Sequence, residues 1–474
     1  MTKPLWTSKE VELATDGKST APFEAMGISM DSRKLRTGDL FVAIIGPRFN
    51  GHDFVCDAFS QGAAAAIVEG RPSGIPDQAP LLIVDNAFDS LKALAHSARA
   101  RSQARIVAVT GSVGKTGTKE ALRLALGESG TVTATVGNLN NEYGVPLSLA
   151  RLSQTSSYGI FELGMNHPGE IRPLAKLVRP EIGIITNVEA VHMENFCSVA
   201  EIANEKAEMF EGMSADGLVI LNRDNPYFQS LVKAANGRGI TRIVGFGEHP
   251  EAQVRLINCT FHTFSSSVIA EVGGAEVHYP LGVPGRHWVI NSLAVLAAVD
   301  AVGADVQKAA AKLGSLSAPT GRGRRVRGIV PSGVIEIIDE SYNASPASMR
   351  ATFDSLASTP AGPVGRRIAI LGDMLELGEE AACMHASLVV DLLRATIDLV
   401  FTVGPLMENL DRELPLHMRG GHAETAKALM PILLEELHDS DVVAVKGSQA
   451  MNMGYIVETL LHSTAGIANA ANER

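Results

Sequence analysis

The chain has 474 residues, 46% hydrophobic and 20% charged, an ordinary balance for a globular protein with room for roughly two to four domains. A formal net charge of −11 argues against general nucleic-acid binding, so any polyanionic ligand must be met by local basic residues. The scattered Cys56, Cys197, Cys259 and Cys383 show no zinc or disulfide spacing, no apolar run is long enough to span a bilayer, and residues 1–6 lack a signal-peptide core. The expectation is a cytoplasmic protein without membrane insertion or nucleic-acid partners.

Three regions follow. The first, residues 1–99, has short strand-like pieces at 40–44, 65–68 and 81–84 and an Ala/Arg-rich helix at 90–101. Its most distinctive segment is Ser29-Met30-Asp31-Ser32-Arg33, followed by Gly38-Asp39-Leu40-Phe41 and Gly51-His52.

The second region, 100–319, opens on the apolar run 106–109, then Gly111-Ser112-Val113-Gly114-Lys115-Thr116-Gly117, then a helical pattern at 119–126. A strand, a glycine-rich turn and a helix start, in that order, make an anion cradle. Gly111 and Gly114 let the backbone approach phosphate oxygens, and the free N–H groups of the helix start face them. Lys115 would reach the outer phosphates and Thr116 would ligate Mg²⁺. Val109 stands where the full Walker spacing has glycine, so the loop is a shortened relative; a ligand-free glycine turn is the plainer alternative. Further apolar runs at 160–163, 182–186, 218–221 and 243–246 alternate with helical stretches, which predicts a doubly wound parallel sheet with ligands at its carboxyl edge. Glu162 ends one such strand, where phosphate-loop enzymes commonly place a Mg²⁺-holding acid. His192 follows another, although a lone histidine is more often structural. Lys206, in Glu201-Ile202-Ala203-Asn204-Glu205-Lys206-Ala207-Glu208, reads from its neighbours as a solvated charge. A helix at 289–302 closes the region.

The third region, 320–474, follows the turn-rich joint Pro319-Thr320-Gly321 and repeats the alternation, with strands expected at 334–338, 368–371, 399–403 and 442–445. Arg322, Arg324, Arg325 and Arg327 form a basic cluster, with a solvated charged strand as the alternative for the last two. Asp339-Glu340-Ser341-Tyr342-Asn343-Ala344-Ser345-Pro346 follows a strand end and suits hydrogen bonding to a nucleotide, although Ser345-Pro346 also reads as a helix entry. Lys446-Gly447-Ser448 ends the last strand, and residues 463–474 read as a frayed tail.

At these residues the chain resembles the Mur ligase family of cell-wall amide synthetases. The matches are Asp31-Ser32-Arg33, the phosphate loop, Gly137-Asn138-Leu139-Asn140-Asn141-Glu142, Glu162 with the segment 166–171, Thr186-Asn187-Val188 with His192, Asn291, the segment 339–347, Leu371-Gly372-Asp373-Met374-Leu375-Glu376-Leu377-Gly378, and Val445-Lys446-Gly447-Ser448. The Asn-Leu-Asn-Asn, Ser-Tyr-Asn-Ala and Gly-Asp-Met-Leu-Glu-Leu-Gly strings resemble the branch that adds D-alanyl-D-alanine to UDP-N-acetylmuramoyl-tripeptide. The resemblance implies an α/β protein of three domains: a small substrate domain, a central phosphate-loop ATPase domain and a Rossmann-like ligase domain. It implies that the loop residues 111–117, with Lys115, hold ATP, that Thr116 and Glu162 serve one Mg²⁺, and that His192 and a carbamylated Lys206 serve a second. Asn291 would face adenine, Arg322, Asp339 and Asn343 would close the nucleotide site, Asp31, Ser32 and Arg33 would meet the UDP-sugar, and Asn140 and Asn141 the sugar-peptide. Monomer is the default oligomeric state. Glu340, Ser345, Trp288, Val113 and Gly117 depart from common family choices. A sister amide ligase, a switch or motor ATPase and a non-catalytic nucleotide module are the competing readings. The joint near 319–323 is expected to act as a hinge.

Overall fold

A computed structural model of the chain describes residues 3–47, 49–362 and 364–471. Its first sheet orders Lys18–Ser19, Leu81–Ile83, Ala65–Val68, Asp39–Val42 and Gly27–Ser29, parallel except at the Lys18–Ser19 edge. The helix Ala87–Arg101 follows, capped by the Asn86 side chain, which accepts the Asp89 N–H at 2.8 Å. Its stripe Leu91, Leu94, Ala95 and Ala98 is fully buried, the spacing of one helix face. That stripe shares one continuous apolar core with Trp6 and with Val145, Phe161 and Phe210 further along the chain.

The central sheet has nine strands, and its parallel part runs Val132–Ala134, Tyr158–Glu162, Arg105–Thr110, Ile182–Ile185, Leu218–Asn222 and Arg242–Gly247. In Arg105–Thr110, Ile106 and Ala108 enter one core while Val107 and Val109 enter the other. A strand buried on both faces reads as an unbroken apolar run, which is why its position was legible. Val254–Phe261, Ser266–Val272 and Ala275–Leu281 extend the far edge, the last two pairing antiparallel to their predecessors. Strand–helix alternation does not anticipate this meander. Its signal is the tight Gly273-Gly274 turn, with both residues at positive φ (58° and 79°). The helix Arg286–Ala301 contains most of the expected 289–302 segment.

The third sheet orders Arg324–Val330, Gly333–Glu340, Val442–Lys446, Arg367–Gly372, Leu399–Val403 and Arg419–Ala423, parallel apart from its first, antiparallel pair. Its apolar residues form two cores of their own. The last helix is Gly454–Ala471, so the expected frayed tail is helical as far as Ala471, and 472–474 lie outside the described residues. Among the described residues no helix is long and apolar enough to cross a membrane.

Candidate active site

The carboxyl ends of Arg105–Thr110, Tyr158–Glu162 and Ile182–Ile185 are neighbours in the sheet, and their loops form one mouth. The phosphate loop needs glycine at two points. Gly111 (φ +147°) would put a Cβ 1.9 Å from the Thr186 hydroxyl, and Gly114 (φ +86°) would put one 2.5 Å from the Asn291 amide nitrogen. Asn291 therefore packs on the loop. Bonds to the adjacent loop brace the cradle. The Ser112 N–H donates to the Asn187 carbonyl at 3.0 Å, the Val113 N–H to Asn187 Oδ1 at 3.1 Å, and the Thr186 hydroxyl to the Val113 carbonyl at 2.6 Å. Ser112 Oγ links to the Glu189 backbone on both sides. Lys115, the first residue of the helix Lys115–Leu126, folds back so that Nζ donates to the Gly111 carbonyl at 2.6 Å. Burial lowers its pKa, Glu162 opposes that shift and Arg322 adds to it.

Glu162 is almost fully buried. Its Oε1 accepts from the Thr116 hydroxyl at 3.1 Å and from Asn140 Nδ2 at 2.8 Å, while Oε2 has no partner. An unpaired buried carboxylate oxygen is costly unless a ligand meets it. Beside a phosphate cradle, this donor set fits a hard cation such as Mg²⁺. Among the described residues no three His, Cys, Asp or Glu side chains gather as a metal cage, so phosphate and water would complete the coordination.

Lys206 overturns the solvated reading of its helix. It is 2% exposed, has no hydrogen-bond or ion-pair partner among the described residues, and burial drives its pKa well below that of a free lysine. Lys115 lowers it further, while Glu205 opposes. Burial without a side-chain partner disfavours the charged form of this amine.

Third-region residues reach the same mouth. Arg322 lies over the Tyr342 ring, 3.9 Å from its centroid, close enough to Lys115 to affect its ionisation. The Tyr342 hydroxyl accepts a bond from Asn138 of the central region. Asp339, 1% exposed, accepts the Gly321 N–H at 3.0 Å and the Ser341 hydroxyl at 2.6 Å, so it organises the joint. Asn343 is exposed, and its carbonyl accepts from the buried Lys446 Nζ at 2.8 Å. The basic cluster divides. Arg325 is pinned to Glu336 and to the Thr359 hydroxyl, both at 2.8 Å, whereas Arg324 lies 3.4 Å from Asp339. His192, at φ +55°, bonds through Nδ1 to Glu376 of the third region.

The remaining expected residues are more dispersed. Asp31 and Arg33 pair with each other at 2.9 Å on the rim of the first sheet, beside the buried Ser32. Asn141 braces the start of the helix Gly144–Ala150, its Oδ1 accepting the Gly144 N–H at 3.0 Å. Three contributors received no role in the sequence reading. Lys119, fully buried one turn after Lys115, holds the Gly137 carbonyl at 2.8 Å and thus the loop carrying Asn140. Trp288 packs on Gly117, and Glu376 bonds His192. The first could have been read from the repeat of lysine at i and i+4 on one helix face; the other two are long-range contacts without a local signal.

A phosphate-loop α/β protein whose nucleotide mouth is roofed by a second α/β domain is the class this geometry defines. Residues 24–103 match the Mur ligase family catalytic domain, 109–299 the Mur ligase middle domain, and 321–449 the Mur ligase glutamate ligase domain. A UDP-N-acetylmuramoyl-tripeptide–D-alanyl-D-alanine ligase from Rickettsia prowazekii (strain Madrid E) is 32% identical over 96% of this chain and 99% of its own length. A crystal structure of MurF from Acinetobacter baumannii superposes with a TM-score of 0.82 at 27% identity, covering 96% of this chain and 99% of that one. The MurF ligase from Thermotoga maritima in complex with ADP gives 0.75 at 26% identity, covering 92% and 96%. The chain belongs to the Mur ligase family.

Proposed function

We infer that this protein is an ATP-dependent ligase that joins D-alanyl-D-alanine to the terminal carboxylate of UDP-N-acetylmuramoyl-tripeptide, a step in peptidoglycan precursor synthesis. The observation that carries the chemistry is the meeting of the phosphate cradle, buried Glu162 and the Arg322–Tyr342 loop of the third region at one mouth.

A carboxylate is a poor acylating agent because its oxygen leaves badly. Attack of the tripeptide carboxylate oxygen on the γ-phosphorus of ATP forms an acyl phosphate and releases ADP. The amine of D-alanyl-D-alanine then attacks the carbonyl carbon, phosphate departs with the C–O bond pair, and the nitrogen loses a proton. No protein nucleophile is required. The loop N–H groups of 111–117 orient the phosphates, and Lys115 and Arg322 stabilise charge that grows as phosphoryl transfer proceeds. Thr116 and Glu162 would hold one Mg²⁺, and His192 with a carbamate on Lys206 a second; bound there, the ions neutralise phosphate charge. The buried Lys206 amine, whose charged form burial disfavours, suits that modification: as the free base, Nζ attacks CO₂, loses a proton and becomes an anionic oxygen donor. Asn291 would contact adenine, Asp339 and Asn343 shape the nucleotide edge, and Asp31, Ser32 and Arg33, with Asn140 and Asn141, form the path to the UDP-sugar peptide. We take 1–99, 100–319 and 320–474 as the domains. The monomer is the working unit, because one chain supplies the whole mouth, and the cytoplasm, where ATP and UDP-sugars are found, is its compartment.

Phosphate release measured with UDP-N-acetylmuramoyl-tripeptide, with and without D-alanyl-D-alanine, tests the reading. Stoichiometric ADP, phosphate and pentapeptide product are expected only when both substrates are present. ATP hydrolysis indifferent to both would refute it in favour of a switch or motor ATPase.

A further inference from the structure

The segment Gly372-Asp373-Met374-Leu375-Glu376-Leu377-Gly378 has no part in the chemistry above, yet hydrogen bonds from several elements of the third domain hold it in place. Asp373 accepts the Met407 N–H at 2.8 Å, the Met374 N–H donates to Nε2 of fully buried His385 at 2.9 Å, and the Leu375 N–H donates to Ser448 Oγ at 2.9 Å. This bracing presents Glu376 outward, its side chain 44% exposed, toward a loop of the central domain 184 residues earlier in sequence. There its carboxylate meets His192 Nδ1, and its own carbonyl accepts the Glu194 N–H at 3.2 Å. Both partners are non-glycine residues in the left-handed region, at φ +55° and +64°. Such conformations persist only where surrounding structure enforces them, and they concentrate at functional sites. Two strained residues facing each other across a domain boundary are not explained by the packing of either domain alone.

We propose that Glu376 is a positioning residue: its carboxylate accepts the Nδ1–H of His192, fixing the imidazole tautomer and latching the third domain over the reaction mouth. An ionised carboxylate can only accept, so Nδ1 must carry the hydrogen, and in the neutral ring Nε2 then keeps its lone pair. Free imidazole in water favours the opposite tautomer. Docking of the third domain therefore converts His192 into the form that can meet a cation or accept a hydrogen bond, and undocking releases it. Closure and competence become one event. The inference rests on the reading that His192 serves the phosphate end of the site.

The test is ¹⁵N-histidine NMR of the full chain with saturating ADP and UDP-N-acetylmuramoyl-tripeptide in EDTA, with His192→Gln identifying the resonance. Wild type should show Nδ1 as the protonated nitrogen. Glu376→Ala should lose that signature and, in a parallel ligase assay, lower kcat by about 10–100-fold while leaving the KM for ATP nearly unchanged. Glu376→Gln, whose amide oxygen still accepts, should recover the tautomer and much of kcat. Because the side chain lies outside the core, thermal unfolding of all three should match wild type, which separates positioning from folding. A Glu376→Ala enzyme with an intact Nδ1–H signature or wild-type kcat overturns the proposal. A His192→Gln enzyme with wild-type kcat instead overturns the reading of His192, and the tautomer measurement still decides the role of Glu376.

Discussion

Gly117 and Trp288 both depart from common family choices, and the structure puts them in contact. A Cβ built on Gly117 would sit 2.7 Å from Cη2 and from Cζ3 of Trp288, whose indole is only 5% exposed. Gly117 lies in the first turn of Lys115–Leu126 at an ordinary helical φ. In isolation Gly117→Ala should stabilise that helix by about 0.5–1 kcal/mol. Against a packed indole that cannot retreat, the added methyl should cost about 1–3 kcal/mol. The clash wins, for a net loss of up to about 2.5 kcal/mol by subtraction of those ranges. Trp288→Leu removes the outer ring at a cost of about 2–4 kcal/mol. In that background Gly117→Ala should reverse sign and stabilise, giving a coupling of about 1–3 kcal/mol across the double-mutant cycle.

The assay is urea unfolding followed by far-ultraviolet circular dichroism, taking the transition that ADP shifts, because that one belongs to the nucleotide-binding domain. Affinity for ADP by calorimetry is the second readout, since the clash lies two residues from Lys115. If Gly117→Ala stabilises the wild-type background, or the coupling is below about 0.5 kcal/mol, the packing argument is refuted and the two departures are independent.

Lys115→Ala should leave the fold intact and reduce ligation by about 10²–10³-fold; near-normal turnover in a steady-state assay would remove the phosphate-loop assignment. Lys206→Ala should abolish activity and regain part of it with added short-chain carboxylates, and mass spectrometry or density showing unmodified lysine beside two bound ions would sink the carbamate. The third domain should open about the joint near Pro319–Gly323 when ligands are absent, so small-angle scattering should give a smaller radius of gyration with ATP and UDP-sugar tripeptide than without; an equal radius would count against closure.

What the sequence revealed, and what it hid, follows from where each interaction originates. The strand Arg105–Thr110 was legible because both faces are buried, so its apolar run is continuous. Gly111 and Gly114 were legible because backbone geometry permits no substitute. Lys206 was not readable from its neighbours: Glu201 and Glu205 on the same helix, with Glu208 just beyond it, imitate a solvated face. Its burial comes from packing between distant segments, while Glu205 turns to the Gly169 and Ile171 N–H groups, at 2.9 and 3.2 Å. Only the resemblance to a family singled this lysine out. Arg325 misled in the opposite direction, because a basic residue on a strand carries no local sign that Glu336 and Thr359 will bind it.

The distribution of apolar cores predicts which domain should move. The first domain keeps one small core of its own and shares a larger one with the central domain: Trp6 donates from Nε1 to the Ala150 carbonyl at 2.9 Å, Arg101 stacks on the Trp6 ring, and the stripe of Ala87–Arg101 joins the same cluster as Phe161 and Phe210. Separating them would expose a continuous apolar surface. The third domain keeps its two cores to itself and meets the mouth through polar contacts: Tyr342 with Asn138, Glu376 with His192, and the Glu376 carbonyl with the Glu194 N–H. Water can replace polar contacts at little net cost, whereas it cannot replace a shared core. An acyl phosphate must be shielded from water while it lasts and uncovered when product leaves. A roof held by hydrogen bonds over a base held by apolar burial would meet both demands, and the joint at Gly321 and Gly323, both at positive φ (74° and 89°), is where the opening motion is expected.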